Sequence, residues 1–154
     1  MRQVDGTAER IMYISDNLRE QDKIEVMASH GKDAKEACLE SWTYSQIAMC
    51  FEGDDGKPVG IWGVSDWGEE LGQIIWMLGT DELTATPNHR KEVTRLSKAA
   101  VDGLLANGCN YLHNWCMAEN KTSLRWLRHL GFTIEDPEEF GENGELFCHF
   151  YRRN

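Results

Sequence analysis

The sequence lacks the features that mark secreted, membrane-embedded and multidomain proteins. No apolar run approaches the roughly 20 residues of a membrane helix, and residues 1–6 lack the apolar core of a secretory signal. The five cysteines form no Cys-x-x-Cys motif and are odd in number, which indicates reduced thiols. With three prolines and no repeat or linker, the chain predicts a single domain over residues 1–154, soluble and cytoplasmic.

The sequence also lacks an excess of positive charge, since its formal net charge is −10. Phosphate neutralisation needs a basic face, so we expect no nucleic-acid partner. The charge is uneven, however, because residues 88–130 hold seven Lys and Arg against three Asp and Glu. This segment predicts either a site for a small polyphosphate ligand or a solvated helix face. In the second interpretation, the solvated helix face consists of Arg90, Lys91, Arg95 and Lys98.

The periodicity of apolar residues predicts the order of helices and strands. Residues 7–43 have helical periodicity, and Gly31 separates a further short helix at 34–42. Strands are predicted at 46–52, 59–64 and 73–78, with a tight Asp-Gly turn at 53–56. The apolar positions that define the first helical region are Ile11, Ile14, Leu18, Ile24, Met27 and Ala28.

The second half alternates helix and strand. Thr86 is a suitable N-cap with Pro87 at the first helical position, and this helix should end near Ala106, before Gly108. Predicted strands at 110–117, 132–136 and 146–151 flank a short helix at 121–130. This alternation predicts an α/β (α+β) fold, with a central mixed sheet and helices on both faces.

The segment from Asn120 to Phe132 is the most informative. Asn120 is a good N-cap, and Gly131 falls where a helix ends with a left-handed residue. Between them, apolar residues recur at helical spacing. Together with the strands on either side, this helix forms a βαβ-like unit. The apolar positions are Leu124, Leu127 and Leu130, with Trp126 beside them.

A strand followed by Asn, a short helix and a Leu-Gly-Phe exit resembles the GNAT superfamily of acyl-CoA-dependent N-acetyltransferases. The Ser123-Leu-Arg-Trp-Leu127 helix looks closest to GNAT-like proteins of short-tailed bacteriophages, some of which carry virion-morphogenesis labels. The resemblance covers roughly residues 72–150. It implies a GNAT-like fold and acetyl-CoA as the cofactor.

The resemblance also implies where coenzyme A lies. The cleft would open where the strands at 74–78 and 111–117 separate, because unpaired main-chain groups there can bond to the pantetheine arm. The pyrophosphate would meet the N-terminus of the long helix, which favours anions. The residues expected to contact the cofactor are Trp76, Leu78, Arg90, Lys91, Asn120 and Ser123.

The chain departs from the family pattern at the phosphate loop. The pattern Arg/Gln-x-x-Gly-x-Gly/Ala, aligned on Arg90, places Val93 and Arg95 at the glycine positions, where a Cβ obstructs the approach of phosphate. In the alternative register the loop is 79–86, and Asp81 and Glu82 would repel a pyrophosphate.

The catalytic groups of the family are also incomplete. The general-acid tyrosine found in many members is replaced by Leu127, so Cys116 or a water would have to act. The base candidates are four carboxylates, none of which stands out. Three-residue spacing places His113 and Cys116 on opposite strand faces, so we predict no zinc site. Trp67, in a polar loop, is a candidate exposed contact residue. The four base candidates are Asp66, Glu69, Glu70 and Asp81.

Two functions remain open at this point. The first is acetyl transfer from coenzyme A to an amine, with an unknown acceptor. The second is a non-catalytic GNAT-fold protein that binds a phage or host protein, in virion morphogenesis or host takeover. A degenerate enzyme that binds coenzyme A without turnover lies between them.

Overall fold

A computed structural model of the protein describes residues 1–31, 33–68 and 70–154. Within these residues the chain forms eight β-strands, five α-helices and one 3-10 turn at Asp81–Thr84. The strands are β1 Arg2–Asp5, β2 Ile47–Glu52, β3 Pro58–Asp66, β4 Gln73–Gly79, β5 Tyr111–Met117, β6 Thr133–Ile134, β7 Glu138–Glu139 and β8 Leu146–Arg153. The helices are α1 Ala8–Asp16, α2 Glu20–His30, α3 Ala34–Thr43, α4 Pro87–Ala106 and α5 Lys121–His129.

All described strands join one mixed sheet in the order β1-β2-β3-β4-β5-β8-β6, with β7 paired to β8. Neighbours are antiparallel except for β4 and β5, which run parallel. The long helix α4 makes the crossover between these two strands. The predicted α/β fold with a mixed central sheet is therefore confirmed.

Helices cover both faces of the sheet. On one face α1, α2 and α3 pack against β3 and β4, and on the other α4 and α5 pack against the strands from β2 to β8. Residues with no exposed surface anchor both layers, which places the apolar stripe of each helix in the interior. They include Ile11, Ile14 and Ile61 on the first face and Phe51, Leu83 and Leu112 on the second.

The predicted helix ends agree with the structure. Thr86 caps α4 by accepting from His89 N, with Pro87 as the first helical residue. Asn120 caps α5 by accepting from Ser123 N. Gly131 follows that helix with a φ of 93°, a left-handed conformation that glycine adopts without a Cβ clash.

The helical region predicted over residues 7–43 is interrupted between Asp16 and Glu20. The chain leaves α1 at Asn17, and Leu18 instead pairs with Thr80 in an isolated β-bridge before α2 begins. Ile24 and Met27, two of the apolar positions that defined this region, are 45% and 49% exposed, whereas Ala28 of the same set is buried. The other buried residues of α2 are Asp22 and Val26.

Two strands were not predicted. β1 is a largely exposed edge strand on β2, and its Arg-Gln-Val-Asp sequence has no apolar alternation. β7 is a two-residue pairing with β8. The strand expected at 132–136 is limited to Thr133–Ile134. Among the described residues, no helix is both long enough and apolar enough to cross a membrane.

Candidate active site

The parallel strands β4 and β5 are joined at one end and separate at the other. Gln73 pairs with Leu112 and Ile74 with His113. Beyond these two pairs, no further pairing joins the described residues of the two strands. The C-terminal ends of both strands thus form an opening in the middle of the sheet. This is the place where the resemblance to the GNAT superfamily implied a cleft.

The register with β3 determines which groups of β4 face this opening. Thr80 N donates to Val59 O (2.9 Å), and Trp67 N donates to Gly72 O (3.0 Å), so even-numbered residues bond to β3. Odd-numbered residues of β4 therefore direct their N–H and C=O groups toward β5. The main chain of Met77 and Gly79 points into the opening.

The side chain of Asn114 begins the separation. A parallel ladder continued past Ile74 would next join Trp115 N to Ile75 O. Instead, Asn114 Nδ2 donates to Ile75 O and Asn114 Oδ1 accepts from Trp115 N, both at 2.8 Å. The carboxamide therefore replaces one main-chain bond and leaves both main-chain groups satisfied. The opening is a specified feature of the sequence.

The first turns of α2 lie across the end of β4. Arg19 N donates to Gly79 O (2.9 Å), and Gly79 N donates to Asp22 Oδ2 (2.8 Å). The same Asp22 oxygen accepts from Arg19 Nε at 2.8 Å. Asp22 is buried, so this pairing supplies the hydrogen bonds that a buried carboxylate needs.

One turn further along, Glu25 reaches the other wall of the opening. Its Oε1 accepts from Asn120 Nδ2 at 2.7 Å and from Gln21 Nε2 at 3.4 Å. The thiol of Cys116, on β5, lies 3.9 Å from the same oxygen. Two carboxylates of α2 thus span the opening, from the end of β4 to the start of α5.

Burial shifts the protonation of these groups. Desolvation raises the pKa of Glu25, and the negative charge of Asp22 adds to the effect, while the hydrogen bond from Asn120 opposes it. Desolvation also raises the pKa of Asp22 against the lowering influence of Arg19. The pKa of the Cys116 thiol is raised by burial and by Glu25, so it stays protonated and is a poor acid.

Asn120 has two roles in the structure. Its Oδ1 caps α5 through Ser123 N (3.2 Å), while its Nδ2 bonds to Glu25. Ser123 is half-buried in the first turn of that helix. Both residues border the opening, and contact with a cofactor stays a prediction for each.

Trp76 and Leu78 lie on the strand that borders the opening, but their main-chain groups bond to β3. Their side chains contact the core beneath α1–α3, and Trp76 Nε1 donates to Ser45 Oγ at 2.8 Å. The main-chain groups that face the opening belong to their neighbours Ile75 and Met77. Contact of Trp76 and Leu78 with a cofactor stays a prediction.

Arg90 and Lys91 are exposed in the first turn of α4, and Arg90 Nη1 donates to Thr84 O at 3.0 Å. The turn that precedes them is acidic on its other side. There Asp81 and Glu82 line a surface depression of about 530 Å³. A phosphate at this helix end would experience charges of both signs.

The acidic residues proposed from sequence as bases lie elsewhere. Asp66 accepts from Gly68 N in the β3–β4 turn (2.8 Å), while Glu70 and Asp81 are exposed. Glu69 lies outside the described residues. The carboxylates that reach the opening, Asp22 and Glu25, were missed because acidic residues of a helix are usually exposed, so nothing local distinguished these two from the other acidic residues.

His113 belongs to a separate hydrogen-bonded chain at the closed end. Its Nε2 donates to Leu71 O (2.7 Å), which leaves Nδ1 to accept from His149 Nε2 (3.1 Å). His149 Nδ1 in turn contacts Glu135 Oε1 at 2.8 Å. Burial lowers the pKa of His113, consistent with a neutral ring. These hydrogen bonds connect the β3–β4 turn to β8 through His113.

The exposed tryptophan was predicted correctly, since Trp67 is 57% exposed. Trp126, beside the helix position where a tyrosine was expected, donates from Nε1 to Thr94 Oγ1 at 3.1 Å and so links α5 to α4. Leu127 is buried in the core. The five cysteines, all among the described residues, are free thiols.

Solved structures that align with this chain include acetyltransferases. A GNAT-superfamily phosphinothricin acetyltransferase from Sinorhizobium meliloti, in complex with AcCoA, aligns with a TM-score of 0.70 at 15% identity, over 99% of this chain and 87% of that one. A spermidine N-acetyltransferase from Vibrio cholerae, in complex with CoA and spermine, aligns with a TM-score of 0.71 at 12% identity, over 99% and 94%. A GNAT-family acetyltransferase from Streptococcus pneumoniae aligns with a TM-score of 0.69 at 12% identity, over 99% and 98%.

No family model matches the sequence. No curated protein matches it either. The similarity is one of structure, and at these identities it establishes the fold. The described residues therefore form a GNAT-like fold, and the strand opening lies where the resemblance to the GNAT superfamily implied a cleft.

Proposed function

We propose that the protein is an acyl-CoA-dependent N-acetyltransferase. The observation that carries this proposal is the opening between β4 and β5, held by the Asn114 carboxamide. A sheet interrupted at its centre presents main-chain groups with which an extended ligand arm can pair. Structures of the same fold that contain AcCoA or CoA support the choice of donor.

The residues around the opening fit the amide-bearing arm of coenzyme A. Met77 directs its main-chain N–H and C=O toward the opening, and the Asn120 carboxamide stands on the opposite wall. Bound there, the donor supplies the acyl thioester. At the nucleotide end, Arg90 and Lys91 provide positive charge at the N-terminus of α4. The acidic residues beside them predict modest affinity.

The acceptor in this proposal is a cationic amine. A net charge of −10 favours the approach of cations, and the carboxylates of α2 face the opening. The structural neighbour bound to spermine shows that a polyamine is accepted by one protein of this fold. The resemblance to phage proteins suggests an acceptor in an infected bacterial cell.

Binding of the donor tests the proposal directly. Titration calorimetry and thermal melting with acetyl-CoA should show saturable binding and a rise in melting temperature, because a ligand of the native state stabilises it. The release of free thiol would then be used to measure acetyl transfer to spermidine or ethylamine. A protein that neither binds acetyl-CoA nor melts higher in its presence would contradict the proposal.

Two lysines of α4 provide a matched pair of variants. Lys91→Ala should weaken acetyl-CoA binding by up to about fivefold, the scale of one exposed charge contact. Lys98→Ala, two turns further along the helix and paired with Asp102, should leave binding unchanged. Equal effects of both variants would indicate a nonspecific charge effect instead of a phosphate contact.

A non-catalytic role is the second candidate. Asp22 and Glu25 already bond to Gly79 and Asn120, so part of each wall of the opening is hydrogen-bonded without a ligand. In this alternative the protein binds a phage or host protein during virion morphogenesis or host takeover. Capture of one defined partner from infected cells, with no acetyl-CoA binding, would favour it.

A further inference from the structure

We propose that Glu25 carries both proton transfers of the acetyl transfer, a role that rests on the proposed function. It would accept the proton that the acceptor amine loses and donate a proton to the departing sulfur. A single carboxyl with this double role accounts for the absence of a tyrosine at the position of Leu127. The supporting observation is the position of the Glu25 carboxylate beside Asn120 and Cys116.

Glu25 is the carboxylate that reaches into the opening itself. Its Oε1 lies 2.7 Å from Asn120 Nδ2 and 3.9 Å from Cys116 Sγ, on the wall formed by β5 and α5. Asn120 donates one hydrogen bond to this oxygen, which fixes its position. An acyl thioester bound between the strands would be adjacent to this group.

The other polar groups near Glu25 cannot take its place. Asp22 is held by Arg19 Nε and by Gly79 N, so its oxygen is engaged in structural bonds. Cys116 remains a neutral thiol with a raised pKa. Glu25 is also half-buried, so protons can reach bulk water from it.

The neighbours of Glu25 act on its pKa in both directions, and burial has the largest influence. Burial and the charge of Asp22 raise its pKa, whereas Asn120 and the more distant Arg19 lower it. A carboxyl with an ordinary pKa would hold a proton too weakly to protonate a thiolate efficiently. A raised pKa improves the match to both tasks.

The proton balance is complete without a further reactant. An ammonium acceptor first loses one proton to a Glu25 oxygen, which releases it to water. As the nitrogen–carbon bond forms, Glu25 takes the second proton from nitrogen. As the carbon–sulfur bond breaks, the sulfur keeps the electron pair and receives that proton from Glu25. One proton is released in total, and the products are an amide and a thiol.

Glu25→Gln tests this role, because it keeps an oxygen that can accept from Asn120 but cannot carry a proton. We expect acetyl-CoA binding by calorimetry to stay within about threefold of the wild type, a change of under 1 kcal/mol. Acetyl transfer to ethylamine should fall by about 10²–10⁴-fold, the usual contribution of general acid–base catalysis. Glu20→Gln, exposed on the same helix, is the control and should retain full activity.

A second amine separates removal of the ammonium proton from the two later proton transfers. Hydroxylamine is largely unprotonated at neutral pH, so it does not need its first proton removed. Glu25→Gln should therefore lose less activity with hydroxylamine than with ethylamine, and the limb of the pH profile that reports the base should disappear.

The outcomes distinguish this inference from the proposed function. Absence of acetyl-CoA binding in the wild type would overturn the proposed function. Binding together with equal activity of wild type and Glu25→Gln would overturn only the role of Glu25. Binding without transfer to either small amine would also overturn it, because a carboxyl placed for proton transfer should act on an amine small enough to enter. Loss of acetyl-CoA binding in Glu25→Gln would instead assign Glu25 to donor binding.

Discussion

The two ends of the β4–β5 pair are held together by different kinds of interaction. At the closed end the main chains of Gln73 and Ile74 pair with Leu112 and His113. At the open end no such pair forms between described residues, and side-chain amides and carboxylates make the connections. The principal residues of the open end are Asp22, Glu25, Asn114 and Asn120.

This difference separates the interactions that stabilise the fold from the side chains that can bind a ligand or exchange protons. Main-chain pairing over a buried core does not depend on pH, and it tolerates many side chains on the exposed positions. Connections through carboxylates and amides can be protonated, exchanged for ligand groups or removed by one substitution. The main-chain pairs of the closed end should therefore set most of the stability of the domain, and the side chains of the open end should set its binding.

The largest effect is expected at the closed end. Leu112 has no exposed surface and packs in the core beneath α4 and α5. Leu112→Ala removes buried apolar volume and should lower the free energy of unfolding by about 2–5 kcal/mol. Urea denaturation followed by tryptophan fluorescence measures it.

Leu71→Ala is the matched control, because Leu71 lies beside the same end of the strands but is 63% exposed. Its effect should stay within about 0.5 kcal/mol, as for most surface substitutions. Equal destabilisation by both variants would show that the closed end is not the stable part of the pair.

An intermediate effect is expected from Asn114→Ala. The change leaves Ile75 O and Trp115 N without their partners at the start of the opening, at a cost of about 1–3 kcal/mol. The Trp115 amide should then exchange faster with deuterium, as measured by NMR. Asn110→Ala, exposed just before β5, should change neither quantity.

A contrary result would be informative about the opening. If Asn114→Ala is as stable as the wild type and Trp115 becomes more protected, the two strands have zipped together by forming the missing bond. The separation would then depend on one side chain alone, and acetyl-CoA binding should be lost with it.

Much of the fold could be predicted because it depends on local signals. The cap at Thr86 followed by Pro87, and the Asn120 to Gly131 helix with its regular leucines, are specified by residues close in the chain. Apolar periodicity was enough to predict β4, the long helix and β5, whereas the prediction that the two strands are parallel neighbours came from the resemblance to the GNAT superfamily.

The chemistry of the opening could not be predicted in the same way. Asp22 and Glu25 are two of many acidic residues, and it is their contacts with Gly79 and Asn120, far along the chain, that identify them as part of the cleft. Asn114 lies within an apolar strand pattern, and its function is visible only when the missing ladder bond is identified. Long-range register carries this information.

The smallest effect on stability at neutral pH concerns the titration of Glu25. Its pKa is raised in the folded protein, so the native state binds a proton more tightly than the unfolded chain does. The stability that this proton contributes is present at low pH and is lost as the pH rises through the folded pKa. Glu25→Gln removes the titration while keeping the oxygen that accepts from Asn120. Its melting temperature should exceed that of the wild type at pH 8, and the difference should shrink toward pH 5.

Glu20→Gln provides the comparison, since Glu20 is exposed on the same helix. The difference in melting temperature between Glu20→Gln and the wild type should stay constant over that pH range. Melting curves of the three proteins, followed by circular dichroism from pH 5 to pH 8, give the result. A lower melting temperature for Glu25→Gln at pH 8 would mean that the bond from Asn120 to an ionised carboxylate outweighs the cost of burying it. In that case Glu25 would be a structural link between α2 and α5, comparable to the bonds of the closed end, and the division between the two ends would no longer hold.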